Sequence, residues 1–204
     1  MSLGHSTSPS GLSKRAVTRD RLRAKVEEVA LELFRDHGFD DVTVLQIASR
    51  AGVAPTTFYR YFGTKDGALF AYQARWLQHV RDAAESLDVA RPRPQQLRDL
   101  LAAFVDHFNA ELATMQLRDE IVARNPTLLP ATLAVQRAWE HELASSLAKR
   151  RSRPLDDPTV HMDAALVHVV VRMAFRRWRA GTVASLAEGV AVSLETARDG
   201  LTEV

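Results

Sequence analysis

The sequence predicts an all-α chain, with a helix-turn-helix unit at the amino end and a helical bundle behind it. Three observations carry this. Apolar residues recur at three- and four-residue spacing, as in Val26, Val29, Ala30, Leu33 and Phe34. Glycines and prolines fall where such segments stop and restart: Gly38, Gly52, Pro55, Gly63, Pro94, Pro130, Pro158 and Gly181. The first three segments, of roughly 20, 8 and 7 residues with a tight glycine turn between the last two, have the layout of a helix-turn-helix unit.

In chain order, the first helix is expected from about Thr18 to His37, with Gly38 as its stop. Asp41 or Thr43 caps a short helix over Val44–Ala51, which Gly52 ends. Val53-Ala54 turns the chain, and Pro55 opens a second short helix to about Tyr61. After Gly63, Thr64 caps a longer helix from Lys65 to about Leu87. The stiff Arg91-Pro92-Arg93-Pro94 starts the next segment. There Leu100, Leu101, Phe104, Val105, Phe108 and Leu112 form one stripe, and LRDEIVARN follows as a short helix. A helix from Pro130 to Arg151 turns Leu133, Trp139, Leu143 and Leu147 inward. Asp157-Pro158 opens one that runs to Ala180, and the last spans about Ser185–Leu201. The expected domains are a disordered tail or tag at 1–12, a DNA-binding domain at 13–64, and a ligand-binding and dimerisation domain at 65–204.

Composition narrows the function. The chain has 204 residues, 46% hydrophobic and 25% charged, enough to bury a core. With no cysteine, thiolate catalysis and disulfides are excluded, and a reducing cytoplasm fits. No signal peptide and no apolar run of membrane-spanning length are present, so no membrane partner is expected. The net charge is only +2, yet Lys14, Arg15, Arg19, Arg21, Arg23 and Lys25 crowd the amino end against one acid, Asp20. Such an arm points to a polyanion. There is no Gly-x-Ser-x-Gly, phosphate-cradling glycine loop or His-Glu-x-x-His. His161 and His168 stand about 10 Å apart, too far for one metal. The chain is read as a non-enzyme without cofactor or metal.

The stretch TTFYRYFGTK, residues 56–65, is the most informative. Phe58 and Phe62 are four apart and share a face, so they belong to the core. That leaves Thr56, Thr57, Tyr59, Arg60 and Tyr61 pointing outward, a set that suits a phosphate backbone and base edges. Lys65 adds a cation at the start of the next helix.

The segment VTVLQIASRAGVAPTTFYRYFGTKDGALF strongly resembles the DNA-binding domain of the tetracycline-repressor family of bacterial regulators. The matching residues are Thr43, Ile47, Ala48, Ala51, Gly52, Val53, Thr57, Tyr59, Tyr61, Phe62, Lys65 and Leu69. The resemblance covers about residues 20–70. It implies that Thr57, Tyr59 and Lys65 touch phosphates and that Ala54, Pro55 and Thr56 lie at the base-reading end of the recognition helix. Ala54 replaces a frequent serine. Pro55 and Thr56 offer few base-edge donors, which leaves Arg60 and the basic arm, with Lys14 and Arg15, for readout. The DNA-binding set is completed by Thr43 and Tyr61. The family also implies a homodimer on a pseudo-palindromic operator, released by a small-molecule effector, with the helix Lys65–Leu87 as the covalent lever. The segments ARNPTLLP, AWEHELASSLAKRRSR and FRRWRAG resemble a subgroup linked to acyl-CoA-like ligands.

The helix around AALVHVVVRMAF is apolar on more faces than a monomer of this size easily buries. With the stripe Leu186, Val190, Leu194 it is expected to build a two-fold four-helix interface through Val169, Val170 and Met173. A ligand is expected among Phe104, Phe108, Met115, Trp139, His168, Arg172 and Phe175, which mix apolar bulk with polar groups. The plainer account has the aromatics as core and a buried Arg172 paired with Glu140 or Asp106. The competing function is a helical carrier or interaction protein with a vestigial DNA head; the basic arm and Thr57, Tyr59 and Lys65 argue against it.

Overall fold

In the computed structural model, backbone is described for residues 14–202 and side chains for residues 18–199. The described residues form nine α-helices, one short 3-10 turn and no strand, and they divide into two compact units between Ala71 and Tyr72. The expected tail at 1–12 lies outside the described residues.

The first unit holds α1 (Lys14–His37), α2 (Val44–Ala51), α3 (Pro55–Phe62) and α4 (Lys65–Leu69). Its short helices start and stop through local chemistry. Thr43 caps α2 in a capping box: its hydroxyl accepts from the Gln46 N–H (3.3 Å), and the Gln46 side-chain oxygen accepts from the Thr43 N–H (2.7 Å). Gly52 ends α2 in the left-handed region at φ +71°, its N–H donating to the Ala48 and Ser49 carbonyls. Pro55 occupies the first turn of α3. The unit's core is fully buried at Ala30, Ile47, Ala48, Phe58 and Leu69. Gly67 is dictated by packing, because a Cβ there would stand 1.9 Å from the Phe62 carbonyl oxygen.

The second unit holds α5 (Gln73–Glu85), α6 (Arg93–Arg124), the 3-10 turn Pro126–Leu128, α7 (Leu129–Arg150), α8 (Pro158–Arg179) and α9 (Leu186–Thr202). Helix α7 packs on α5 and α8, and α9 packs on α8. A Cβ on Gly189 of α9 would lie 2.9 Å from the Ala174 Cα of α8, so the two backbones cross closely.

Several expected elements differ. The single helix Lys65–Leu87 is two helices. The last turn of α4 tightens, with the Ala71 N–H donating to the Ala68 carbonyl, and α5 restarts at Gln73. The two helices expected in 99–125 follow one another within α6 without a loop, joined across a kink at Glu111, where the backbone is non-helical (φ −123°, ψ 15°). Leu133 is 44% exposed, because the inward face of α7 consists of Trp139, Leu143, Ala144, Leu147 and Ala148.

One buried charge organises an end of the second unit. Asp163 on α8 is fully buried. Its Oδ1 accepts from Arg93 Nε (2.8 Å) and Nη2 (2.5 Å), and its Oδ2 from Arg151 Nη1 (2.5 Å). Arg151 also donates to Gln96 (3.0 Å), whose amide donates to the Arg91 carbonyl (2.8 Å). Arg150 donates to the Leu87 carbonyl. Arg93, from the Arg91–Pro94 segment, and Arg151, at the end of α7, thus meet on one carboxylate. Removing a partner from a buried ion pair costs more than the pair contributes. Asp163→Ala is therefore expected to destabilise the fold by about 2–4 kcal/mol, less than a fully buried pair because Arg93 is half exposed. The midpoint of urea unfolding measures it.

Candidate functional site

The outward face of the first unit is built on α3. Phe58 is fully buried and Phe62 is 9% exposed, their ring centroids 5.1 Å apart. With that face turned inward, Ala54, Pro55, Thr56, Tyr59 and Arg60 are exposed, and Thr57 and Tyr61 are partly buried. Tyr59 is 53% exposed, unusual for a ring of that size without a partner surface. Arg60 folds along the helix, its guanidinium 4.9 Å from the Tyr61 ring centroid and Nη2 3.5 Å from the Tyr61 hydroxyl.

Two expected contact residues are engaged within the unit. Thr43 is exposed, but its hydroxyl is held in the α2 capping box. The Lys65 ammonium donates to the carbonyls of Phe39 (2.6 Å) and Asp40 (3.2 Å) and sits 4.3 Å over the Phe39 ring. It therefore ties the start of α4 to the α1–α2 turn. Lys14 and Arg15 open α1, and their side chains lie outside the described residues.

The second unit gathers most of the expected ligand residues around a ring that sequence reasoning passed over, Trp76. Its centroid lies 5.1 Å from Phe104, 4.5 Å from Phe108 and 5.7 Å from Trp139. Phe108 meets Phe175 edge-on at 4.8 Å, and Trp139 meets His168 at 4.4 Å. Met115 is partly buried against the apolar core of this unit. The imidazoles of His79 and His107 stack at 4.1 Å, and both approach Trp76. The Trp76-x-x-His79 spacing on one helix face was the available signal, hidden because that stretch read as a connecting helix.

The polar groups of the cluster are few. His168 Nδ1 lies 3.2 Å from Glu140 Oε2. The indole N–H of Trp139 is buried with no hydrogen-bond partner among the described residues. Arg172 does not join them. It is exposed rather than buried, since the inward face of α8 is Ala164, Val167, Val170, Val171, Ala174 and Phe175, and the carboxylate of Glu140 faces His168 instead.

The expected interface set also divides. Val170 and Leu186 are 1% and 2% exposed within one chain, so they belong to its own core and cannot reach a partner. Val169 (45%) and Met162 (62%) are exposed, Leu166 and Met173 are half-buried, and these four share one face of α8. Val190 and Leu194 on α9 are partly buried.

Comparison with known proteins places this arrangement. Residues 28–72 match the model for bacterial regulatory proteins of the tetR family, and residues 91–202 match the MftR C-terminal domain. A Mycobacterium tuberculosis protein described as a mycofactocin biosynthesis transcriptional regulator, MftR, is 26% identical over 86% of this chain and 89% of its own. The transcriptional regulator TcmR of Streptomyces glaucescens is 29% identical over 96% of this chain and 89% of its own. Among solved structures, SmeT in complex with triclosan superimposes with a TM-score of 0.58 at 18% identity, covering 86% of this chain and 89% of that one. Thermus thermophilus FadR with lauroyl-CoA gives 0.56 at 24%, covering 85% and 91%.

The histidines of the cluster give it a pH dependence. Burial pushes His107 below the ordinary value of 6.5, with the charge of neighbouring His79 acting the same way and Glu111 opposing it. Burial also pushes His168 below that value, against the opposing hydrogen bond and charge of Glu140. The unfolded chain then binds more protons than the folded one just below 6.5. Stability is complete above that value and declines as the pH falls through and below it. The urea midpoint is expected to drop between about pH 7 and about pH 5, and to drop less in His107→Gln.

Proposed function

We propose, for a chain that belongs to the tetR family of bacterial regulatory proteins and carries an MftR-type C-terminal domain, a dimeric repressor released from its operator by a small ligand. That the protein is a DNA-binding transcriptional regulator follows from its family. The finer reading concerns how it works. One observation carries it: among the described residues, the buried Trp139 N–H has no hydrogen-bond partner inside a cluster of aromatic rings. A buried donor left unsatisfied costs about 1–3 kcal/mol, and a ligand with an acceptor atom on an apolar body relieves that cost. Trp76, Phe104, Phe108, Trp139 and His168 form the ligand set, with Met115 and Phe175 beside them. An amphipathic acyl chain fits such a lining. Lauroyl-CoA and triclosan, held by FadR and SmeT, are the probes of choice.

In the operator complex, α3 lies in the major groove, with Thr57 and Tyr59 donating to phosphates. The exposed stripe Met162, Leu166, Val169, Met173, with Val190 and Leu194, meets its two-fold copy. Two α3 helices then read two half-sites. A ligand that binds the low-affinity state better weakens DNA binding by that difference, typically about 1–3 kcal/mol. A carrier with a vestigial head fits less well, because such a head has no reason to display Tyr59 at the surface.

A gel shift with the DNA flanking the protein's own gene tests this. A single retarded complex is expected, dissolved by micromolar lauroyl-CoA or triclosan. Val169→Glu is expected to sediment as a folded monomer and to retard that DNA weakly, since one head supplies part of the contact. A Val169→Glu dimer would move the interface elsewhere.

A further inference from the structure

The base-reading end of α3 is short of hydrogen-bond donors, and several long polar side chains around it turn toward the unit itself. Ala54, Pro55 and Thr56 are all exposed. Ala54 and Pro55 carry only carbon in their side chains, and Pro55 has no N–H. The Ala54 carbonyl accepts from the N–H groups of Thr57 (2.9 Å) and Phe58 (3.1 Å), so it faces into the helix. Nearby polar side chains make contacts inside the unit: Arg60 folds over Tyr61, the Gln46 side-chain oxygen accepts from Thr43, Lys65 donates to two carbonyls, and Arg50 pairs with Glu32 at 3.6 Å.

A guanine is read by a guanidinium or ammonium on its N7 and O6, and an adenine by an amide on its N6 and N7. The tip of α3 presents neither group. Beside the Thr56 hydroxyl it offers three carbon groups, the Ala54 methyl, the Pro55 ring and the Thr56 γ-methyl, which match the one apolar feature of the major groove, the thymine 5-methyl. We infer that the tip of α3 reads DNA through methyl contacts: Ala54, Pro55 and Thr56 recognise thymine 5-methyl groups, and the pairs they select are A·T. This rests on the reading that α3 enters the major groove. It also moves base recognition away from Arg60, which the sequence offers as a reader together with the basic arm.

The test uses the full-length chain. Duplexes are selected from a random library, and their affinities are measured by fluorescence anisotropy at fixed salt. Each thymine of the selected half-site is then replaced by deoxyuridine, which removes only the methyl group. Each guanine is separately replaced by 7-deazaguanine, which removes N7. Deoxyuridine is expected to weaken binding about threefold to fourfold at one or more positions, the worth of one buried methyl-sized group. Thr56→Ser, which keeps the hydroxyl and loses the γ-methyl, is expected to abolish the loss at one of them. The inference is overturned if deoxyuridine has no effect at any position. It is equally overturned if 7-deazaguanine costs about tenfold and that cost vanishes in Arg60→Gln, the signature of polar readout. An enriched sequence insensitive to deoxyuridine sinks only the methyl readout. A library that yields no enriched sequence sinks the groove-binding reading with it.

Discussion

Helix α3 is eight residues long, and a helix of that length does not hold its shape in water on its own propensity. Its existence depends on one contact, the burial of Phe58 and Phe62 against the α1–α2–α4 core. Each fully buried aromatic contributes about 1.5–3 kcal/mol, enough to offset a poor nucleus. Everything outward on α3 inherits its position from those two rings. The turns on either side serve the same end: Gly52 and Gly63 take left-handed φ of +71° and +70°, so the chain reverses without strain. Gly67 admits the carboxyl end of α3 at a separation no side chain tolerates, and Lys65 ties the α1–α2 turn to α4. The first unit is in effect a mount for one short helix.

The second unit solves a different problem with long helices. Its apolar faces need little help to form, and its polar groups set the arrangement. Asp163 draws in arginines from two distant segments and so fixes how α6 and the α7–α8 turn meet α8. Beyond that network the interior becomes aromatic, with rings of α5, α6 and α7 meeting at Trp76 and those of α8, Phe175 and His168, packed on Phe108 and Trp139. The polar tips left there are histidines and one indole N–H. Groups of that kind suit recognition better than stability, because each is tolerated only where something answers it.

The sequence spoke plainly wherever local chemistry decides structure. Thr43, Gly52, Pro55 and Gly63 mark α2 and α3 to within a residue, because caps and left-handed turns act through one or two side chains. The break after Leu69 involves no proline, and the glycine nearest it, Gly67, reads as a helix interior. That break leaves little periodic trace. A helix apolar nearly all round predicts a buried Arg172, yet such a helix can keep one exposed edge. Val170 and Leu186 looked like interface residues for the same reason, and each is satisfied within its own chain. A count of apolar faces does not say which neighbour covers which face. The close crossing of Gly189 on Ala174 supplied the answer for two of them.

The claim at the centre of this account is that two copies of α3, related by a two-fold axis, read one operator together. Half-site spacing tests it most directly. The centre of a selected pseudo-palindromic duplex is lengthened by about five base pairs, half a helical turn, which rotates the second half-site to the opposite face of the DNA. Affinity is expected to fall to that of a duplex carrying a single half-site. Affinity unchanged by the insertion would show that each head binds alone, and would contradict that claim.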